Sequence, residues 1–125
     1  MKQILIVFIG GGIGTVMRFL IGKLLPYSGK GFPWNTFWAN LLGCLLIGIL
    51  TGYFLRNNSE NESSLVIFAT IGFCGGFTTF SSFAHENLSF MRSGDYTILL
   101  AYSMLSLTAG ILMVYLGILI DKHLH

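Results

Sequence analysis

Gly72–Phe83 reads GFCGGFTTFSSF, and the fold turns on how this stretch is read. Two adjacent glycines, Gly75 and Gly76, and four hydroxyl residues, Thr78, Thr79, Ser81 and Ser82, interrupt an apolar run that is otherwise long enough to cross a membrane. Lipid offers no hydrogen bonds to loose backbone, so an interruption at that depth persists only where it faces protein, water or an ion. An interrupted helix near the bilayer centre is therefore a site in its own right.

The surrounding sequence makes the membrane reading firm. Of 125 residues, 54% are hydrophobic and 10% charged, and the mean hydropathy is +0.75. Soluble domains carry roughly 25% charged residues. Working outward from the interruption, Ser63 to Met91 forms an overlong third span. Ile4 to Leu25 is the first, near the ~20 residues a crossing needs, Trp34 to Leu55 the second and Tyr96 to Ile120 the fourth. Trp34 and Trp38 open the second span, as interfacial aromatics do. The connectors are Pro26–Pro33, Arg56–Glu62 (RNNSENE) and the turn Arg92–Asp95, with DKHLH as a polar tail. Each is too short for a soluble domain, so residues 1–125 read as one all-α membrane domain of four helices with a break in the third. The amino terminus resembles a signal peptide superficially, but its apolar stretch runs on without a small-residue cleavage site and reads as a retained span.

An even number of spans places both termini on one side. Lys2, Arg56 and Lys122 then lie with the termini, against Lys23, Lys30 and Arg92 opposite, with Arg18 inside the first span near that second end. This balance leaves almost no positive-inside bias. The count predicts insertion in both orientations, after which two copies could pair antiparallel; the alternative is one fixed orientation set by features that the count misses. The pairs Gly10/Gly14, Gly48/Gly52 and Gly72/Gly76 each open one helix face to close approach, by a partner the spacing does not identify. Four short spans enclose little interior, so oligomerisation is the economical route to a pore.

Few polar groups lie at depth. Arg18 shares a face with Gly14 and Gly22; it reads as an anion-attracting charge in a vestibule or as a snorkelling interfacial arginine. Thr36 and Asn40, four apart, point the same way. The amide offers donors to an anion, or it bonds across to a neighbouring helix. Phe80 and Phe83 stack along one side of a resumed helix, and ring edges turned inward favour an anion, although phenylalanines at this spacing also suit core or lipid. Thr79, Ser81 and Ser82 add hydroxyl donors beside them. Carbonyls of residues 75–79 lose helical partners and could converge on a monovalent cation, or be satisfied by asparagine, serine or water. Cys44 and Cys74 read as small buried hydrophobes.

GGxGTxxRF at Gly11–Phe19, TxxxN at Thr36–Asn40 and GFCGGFTTFSSF at Gly72–Phe83 together resemble the Fluc/CrcB fluoride-channel family, across all four spans in size and order. The resemblance implies a dual-topology antiparallel homodimer with two fluoride pores in a cell's inner membrane. It implies a structural sodium ion at the dimer centre, held by the backbone carbonyls of Gly75 and Thr78. It maps pore roles onto Asn40, Phe80, Ser81 and Phe83, a vestibule role onto Arg18 and a pore-end role onto Glu86. The chain departs from the family pattern at Gly14–Thr15, where Gly-Ala is frequent, and at Asn35–Thr36, where Gly-Thr is. For the hydroxyl track that the resemblance implies on the fourth span, this chain offers Tyr102 and Ser106, which share a face, while Gly110 and Val114 stand where some relatives carry hydroxyls.

Other classes fit less well. A small multidrug-type proton-coupled exporter needs a carboxylate in the first span, and this one has Arg18 alone; Glu86, after the break, reads as the sole intramembrane carboxylate. His85 and Glu86 are adjacent on a helix and point about 100° apart. No nucleophile, base and orienter, phosphate loop or metal-ligand spacing appears, which argues against an enzyme. A net charge of +2 without a basic run argues against nucleic acid.

Overall fold

The computed structural model describes residues 1–58 and 63–125. Most of the polar Arg56–Glu62 connector, its residues 59–62, lies outside the described residues. The chain forms α1 (Lys2–Leu24), α2 (Trp34–Arg56), α3 (Ser64–Val66), a π-helical segment π1 (Ile67–Cys74), α4 (Gly75–Phe77), α5 (Phe80–Ser93) and α6 (Tyr96–Leu124). Among the described residues, four helical stretches are long and apolar enough to cross a membrane: Lys2–Leu24, Trp34–Arg56, Ser64–Ser93 and Tyr96–Leu124. The predicted all-α architecture with an interrupted third span is what is found. Leucine, isoleucine and phenylalanine dominate the outer surfaces, the pattern of helices solvated by lipid tails.

Glycine seams within the chain hold the bundle together. On one side, α1 lies along π1 and α4: a methyl added at Gly10 would sit 2.7 Å from the Phe68 carbonyl oxygen. One at Gly14 would collide with the Phe73 carbonyl, and one at Gly76 with the Gly11 carbonyl. On the other side, α2 and α6 cross where Gly48 meets Val114 and Gly117 meets Leu45. The small-residue pairs seen in the sequence thus find partners inside the same chain. The hydrophobic cluster Phe37, Leu41, Phe90 and Tyr102 closes the core where α2, α5 and α6 meet.

Three features differ from expectation. The break is narrower than the glycine-rich motif suggests: Gly75 is helical, and only Thr78 (φ −85°, ψ 159°) and Thr79 (φ −149°, ψ 115°) are extended. The threonines make the break, and Gly76 serves close packing against Gly11. Upstream, π1 widens the helix over two turns before the break. The fourth span runs to Leu124, not Ile120, so Asp121 is not part of a solvated tail. It is buried and pairs with Arg56 at 3.1 Å, while its side chain fills the space beside Gly52. Glu86 is therefore not the sole buried carboxylate of the helical bundle. At the turn before α6, Gly94 takes the left-handed conformation (φ 77°) that a side chain would resist.

Candidate functional site

At the break, the helical hydrogen-bond ladder is rebuilt from side chains. Asn40 of α2 spans the gap: its Oδ1 accepts from the Thr79 N–H at 2.7 Å, and its Nδ2 donates to the Thr79 carbonyl at 3.1 Å. Of the two readings left open for Asn40, the inter-helix bridge is realised, yet one of its two amide hydrogens finds no acceptor among the described residues. Arg18 Nε donates to the Gly76 carbonyl at 3.2 Å, with Thr15 Oγ1 at 3.5 Å from the same oxygen. Thr78 folds back: its N–H and hydroxyl both donate to the Cys74 carbonyl. Its methyl packs on Gly43, a position where any side chain would collide with it. Thr79 caps α5, its Oγ1 accepting from the Ser82 N–H at 3.3 Å. The carbonyls of Gly75 and Thr78 accept no hydrogen bond from the described residues.

Beside the break lies a cleft of about 470 Å³. It gathers seven of the sequence-predicted residues: Asn40, Gly75, Thr78, Thr79, Phe80, Phe83 and Ser106. Phe80 is 79% exposed there and its ring centroid stands 5.8 Å from that of Phe83. The Ser106 hydroxyl is buried and has no hydrogen-bond partner among the described residues. Cys44 and Cys74 line the apolar remainder as free thiols.

Glu86 lies away from this cleft, at the boundary of two other chambers. Its carboxyl accepts from Thr36 Oγ1 and from the Tyr102 hydroxyl, both at 2.6 Å, and the residue is buried. One chamber, about 420 Å³, is bordered by Arg18, Lys23, Asn35, Thr36, Ser82 and Glu86. The second, about 650 Å³, takes Ser81, Ser82, His85 and Glu86 from α5 and Tyr27 from the loop after α1. Burial pushes the Tyr27 phenol above its ordinary value, and the Glu86 carboxylate adds to the rise.

The predicted residues thus divide into three places. Arg18, Ser81 and Glu86 border the chambers and Thr79 borders both the cleft and the smaller chamber, whereas Tyr102 borders none of them: it is fully buried, with its hydroxyl given to Glu86. Tyr102 and Ser106 do not share an environment despite their spacing. The reading of single residues did not foresee the Thr36–Glu86–Tyr102 set. Its only signal was that Thr36 and Asn40 face one way, and both do turn toward the third span.

A family model described as CrcB-like protein, Camphor Resistance (CrcB), matches residues 5–118. A protein named fluoride-specific ion channel FluC from Azobacteroides pseudotrichonymphae is 46% identical over 123 residues, covering 98% of each chain. One of the same name from Phocaeicola vulgatus is 44% identical, over 94% of this chain and 97% of the relative. Another from Flavobacterium psychrophilum is 38% identical, over 99% of this chain and all of the relative.

Proposed function

The chain belongs to the CrcB-like family, and from that premise and the interrupted third span we propose that it is a fluoride-selective ion channel that exports the ion passively. The observation that carries this reading is the Thr78–Thr79 break held by Asn40, beside a cleft that offers donors and no carboxylate. The relatives are named as ion channels, and enzymatic activity is no part of this reading.

Fluoride is small and strongly hydrated, so a selective path must replace its water with hydrogen-bond donors. The unused amide hydrogen of Asn40 and the unpartnered hydroxyl of Ser106 are such donors, with Thr79 and Ser81 nearby. The exposed edge of Phe80 and the Phe83 ring supply weak positive potential in a dry setting. Arg18 and Lys23 raise anion concentration in the adjoining chamber. Chloride, larger and a weaker acceptor, gains less from so few donors. Export down the electrochemical gradient would lower fluoride in the cell, with the protein in the inner membrane.

The cleft opens on the flank of one chain, where polar atoms would otherwise meet lipid. A second, antiparallel copy covers it in this proposal, consistent with the balanced lysine and arginine count. The Gly75 and Thr78 carbonyls fit a sodium ion: they are uncharged hard oxygen ligands left without donors, and a monovalent cation suits a site lacking carboxylates. Bound there, the ion would offset the exposed carbonyl dipoles.

Fluoride release from liposomes holding the purified protein, followed with a fluoride electrode beside a chloride control, tests the function. Fluoride efflux without chloride efflux is expected. Phe80→Ile should abolish that efflux in a protein that still assembles, because it removes the ring edge and leaves the break intact. Unchanged flux in Phe80→Ile would refute the ring-edge path, and no flux from a folded wild-type protein would refute the channel.

A further inference from the structure

One carbonyl of the break is held by a charged side chain from another helix. Thr78 and Thr79 are extended, so the Gly76 carbonyl has no backbone donor among the described residues. Arg18 of α1 supplies one: its Nε donates to that oxygen at 3.2 Å, and Thr15 Oγ1, at 3.5 Å, is a weaker second donor. The two helices come within this reach because Gly76 packs on Gly11, where a methyl would collide with the Gly11 carbonyl. Arg18 also borders the chamber of about 420 Å³, and its two terminal nitrogens make no hydrogen bond among the described residues. Nor does it pair there with Glu86, which lines the same chamber. That chamber and the cleft share Thr79 in their walls, and the cleft takes in Gly75, the residue before the held carbonyl. Arg18 therefore grips the break at the partition between the two spaces.

Arginine can do this and keep its charge in use. The Nε–H is one donor of the guanidinium, and four N–H groups remain on the terminal nitrogens. A hydrogen bond from a charged donor is also stronger than a neutral one. Left unheld, the Gly76 carbonyl would turn its negative end toward an anion passing Thr79, and the break would lose one of the few bonds that fix its course. We infer that Arg18 is a positioning residue for the break: Nε pins the Gly76 carbonyl toward α1, leaving the Gly75 and Thr78 carbonyls to the cleft, while the rest of the guanidinium draws anions into the chamber. The effect on flux rests on the channel reading. The pin itself does not depend on what the protein conducts.

Glutamine and methionine at position 18 separate the two jobs. In Arg18→Gln the Nε2 stands as many bonds along the side chain as the arginine Nε, so the donor stays and the charge goes. Arg18→Met removes both. Two readouts are compared with wild type: amide hydrogen exchange over residues 75–83 of the purified protein, and fluoride efflux from liposomes at low and at high fluoride. Arg18→Met should exchange about tenfold faster over that stretch, and its efflux should fall at both fluoride concentrations. Arg18→Gln should keep wild-type exchange and lose about two- to fivefold of the efflux at low fluoride only, where recruitment limits it. Exchange at the α2–α6 seam, over residues 110–120, should stay unchanged in both, which a general loosening of the fold would not allow. Equal exchange over 75–83 in the two variants, or wild-type exchange in Arg18→Met, would overturn the pin. If only Arg18→Gln gives a monodisperse protein, the neutral donor has rescued the fold and the pin stands. If neither does, the break needs the charge and not the Nε donor, and the inference is overturned. Wild-type protein that releases no fluoride would overturn the channel reading, and the exchange comparison would still decide the pin.

Discussion

At Thr79 the backbone loses both partners that a continuous helix would supply, and one amide side chain replaces them. The geometry explains why asparagine stands at position 40: it must accept from an N–H and donate to a C=O at once. Alanine would leave both groups of Thr79 unpaired, at about 1–3 kcal/mol for each buried group. Aspartate keeps the acceptor, loses the donor and sets a negative charge against both the Thr79 carbonyl and an incoming anion. We expect Asn40→Ala to unfold at markedly lower temperature, read as loss of the monodisperse peak after heating. Asn40→Asp should be no more heat-resistant than Asn40→Ala, because its charge is buried against a carbonyl, and its fluoride flux should be abolished. An Asn40→Ala protein as heat-resistant as wild type would show that the bridge does not hold the break. The sequence alone could place Asn40 on the right face, but not choose between bridge and anion donor. Both roles need an amide at the same position.

Among the elements, long apolar runs were legible because lipid demands them, and four spans follow with ends displaced by a few residues. What could not be read was anything decided by a partner distant in sequence. The π1 segment keeps the apolar composition of an α-helix, so hydropathy is blind to its wider turns. The sequence spread the break over Gly75, Gly76 and the hydroxyl residues after them, and it falls at Thr78 and Thr79 alone, where Asn40 and the pocket at Gly43 receive the chain. Asp121 sits in a polar terminal pentapeptide that resembles a tail, and only its meeting with Arg56, 65 positions away, buries it. That ion pair joins the ends of α2 and α6, with Arg56 partly exposed and Asp121 enclosed. Burial is therefore asymmetric, and so is the expected cost. Arg56→Met strands a buried carboxylate and should destabilise by about 1–3 kcal/mol. Asp121→Asn strands only a cation that reaches water and should cost less. Joined in one protein, the two changes should be less harmful than Arg56→Met alone, the sign of coupling between contacting residues. Additive losses in thermal denaturation would mean that the pair contributes nothing as a pair.

For the whole molecule, the unequal finish of its surfaces is the guide. Seams of glycine close α1 onto the third span and α2 onto α6, so a single chain is already well packed. The flank carrying the cleft is different: it presents Gly75 with open space around it, a freed carbonyl at Thr78 and the Phe80 ring. Left against lipid, such backbone would lack the hydrogen bonds that a membrane core cannot give. In the proposed dimer these groups meet their counterparts and a sodium ion. Replacing sodium by a bulky organic cation should then lower the melting temperature of the purified dimer, whereas replacing chloride by another spectator anion should not. Orientation supplies a second, sharper measurement. Three cations on each face, with Arg18 near one of them, make a balance that a small change can tip. Two lysines added beside Lys2 should force one orientation, and two added beside Lys30 the other. Either variant alone should then conduct no fluoride, because antiparallel partners are missing, while co-expression of the two should restore flux. Full activity from either variant alone would mean that one orientation suffices, and the cleft would need a different cover.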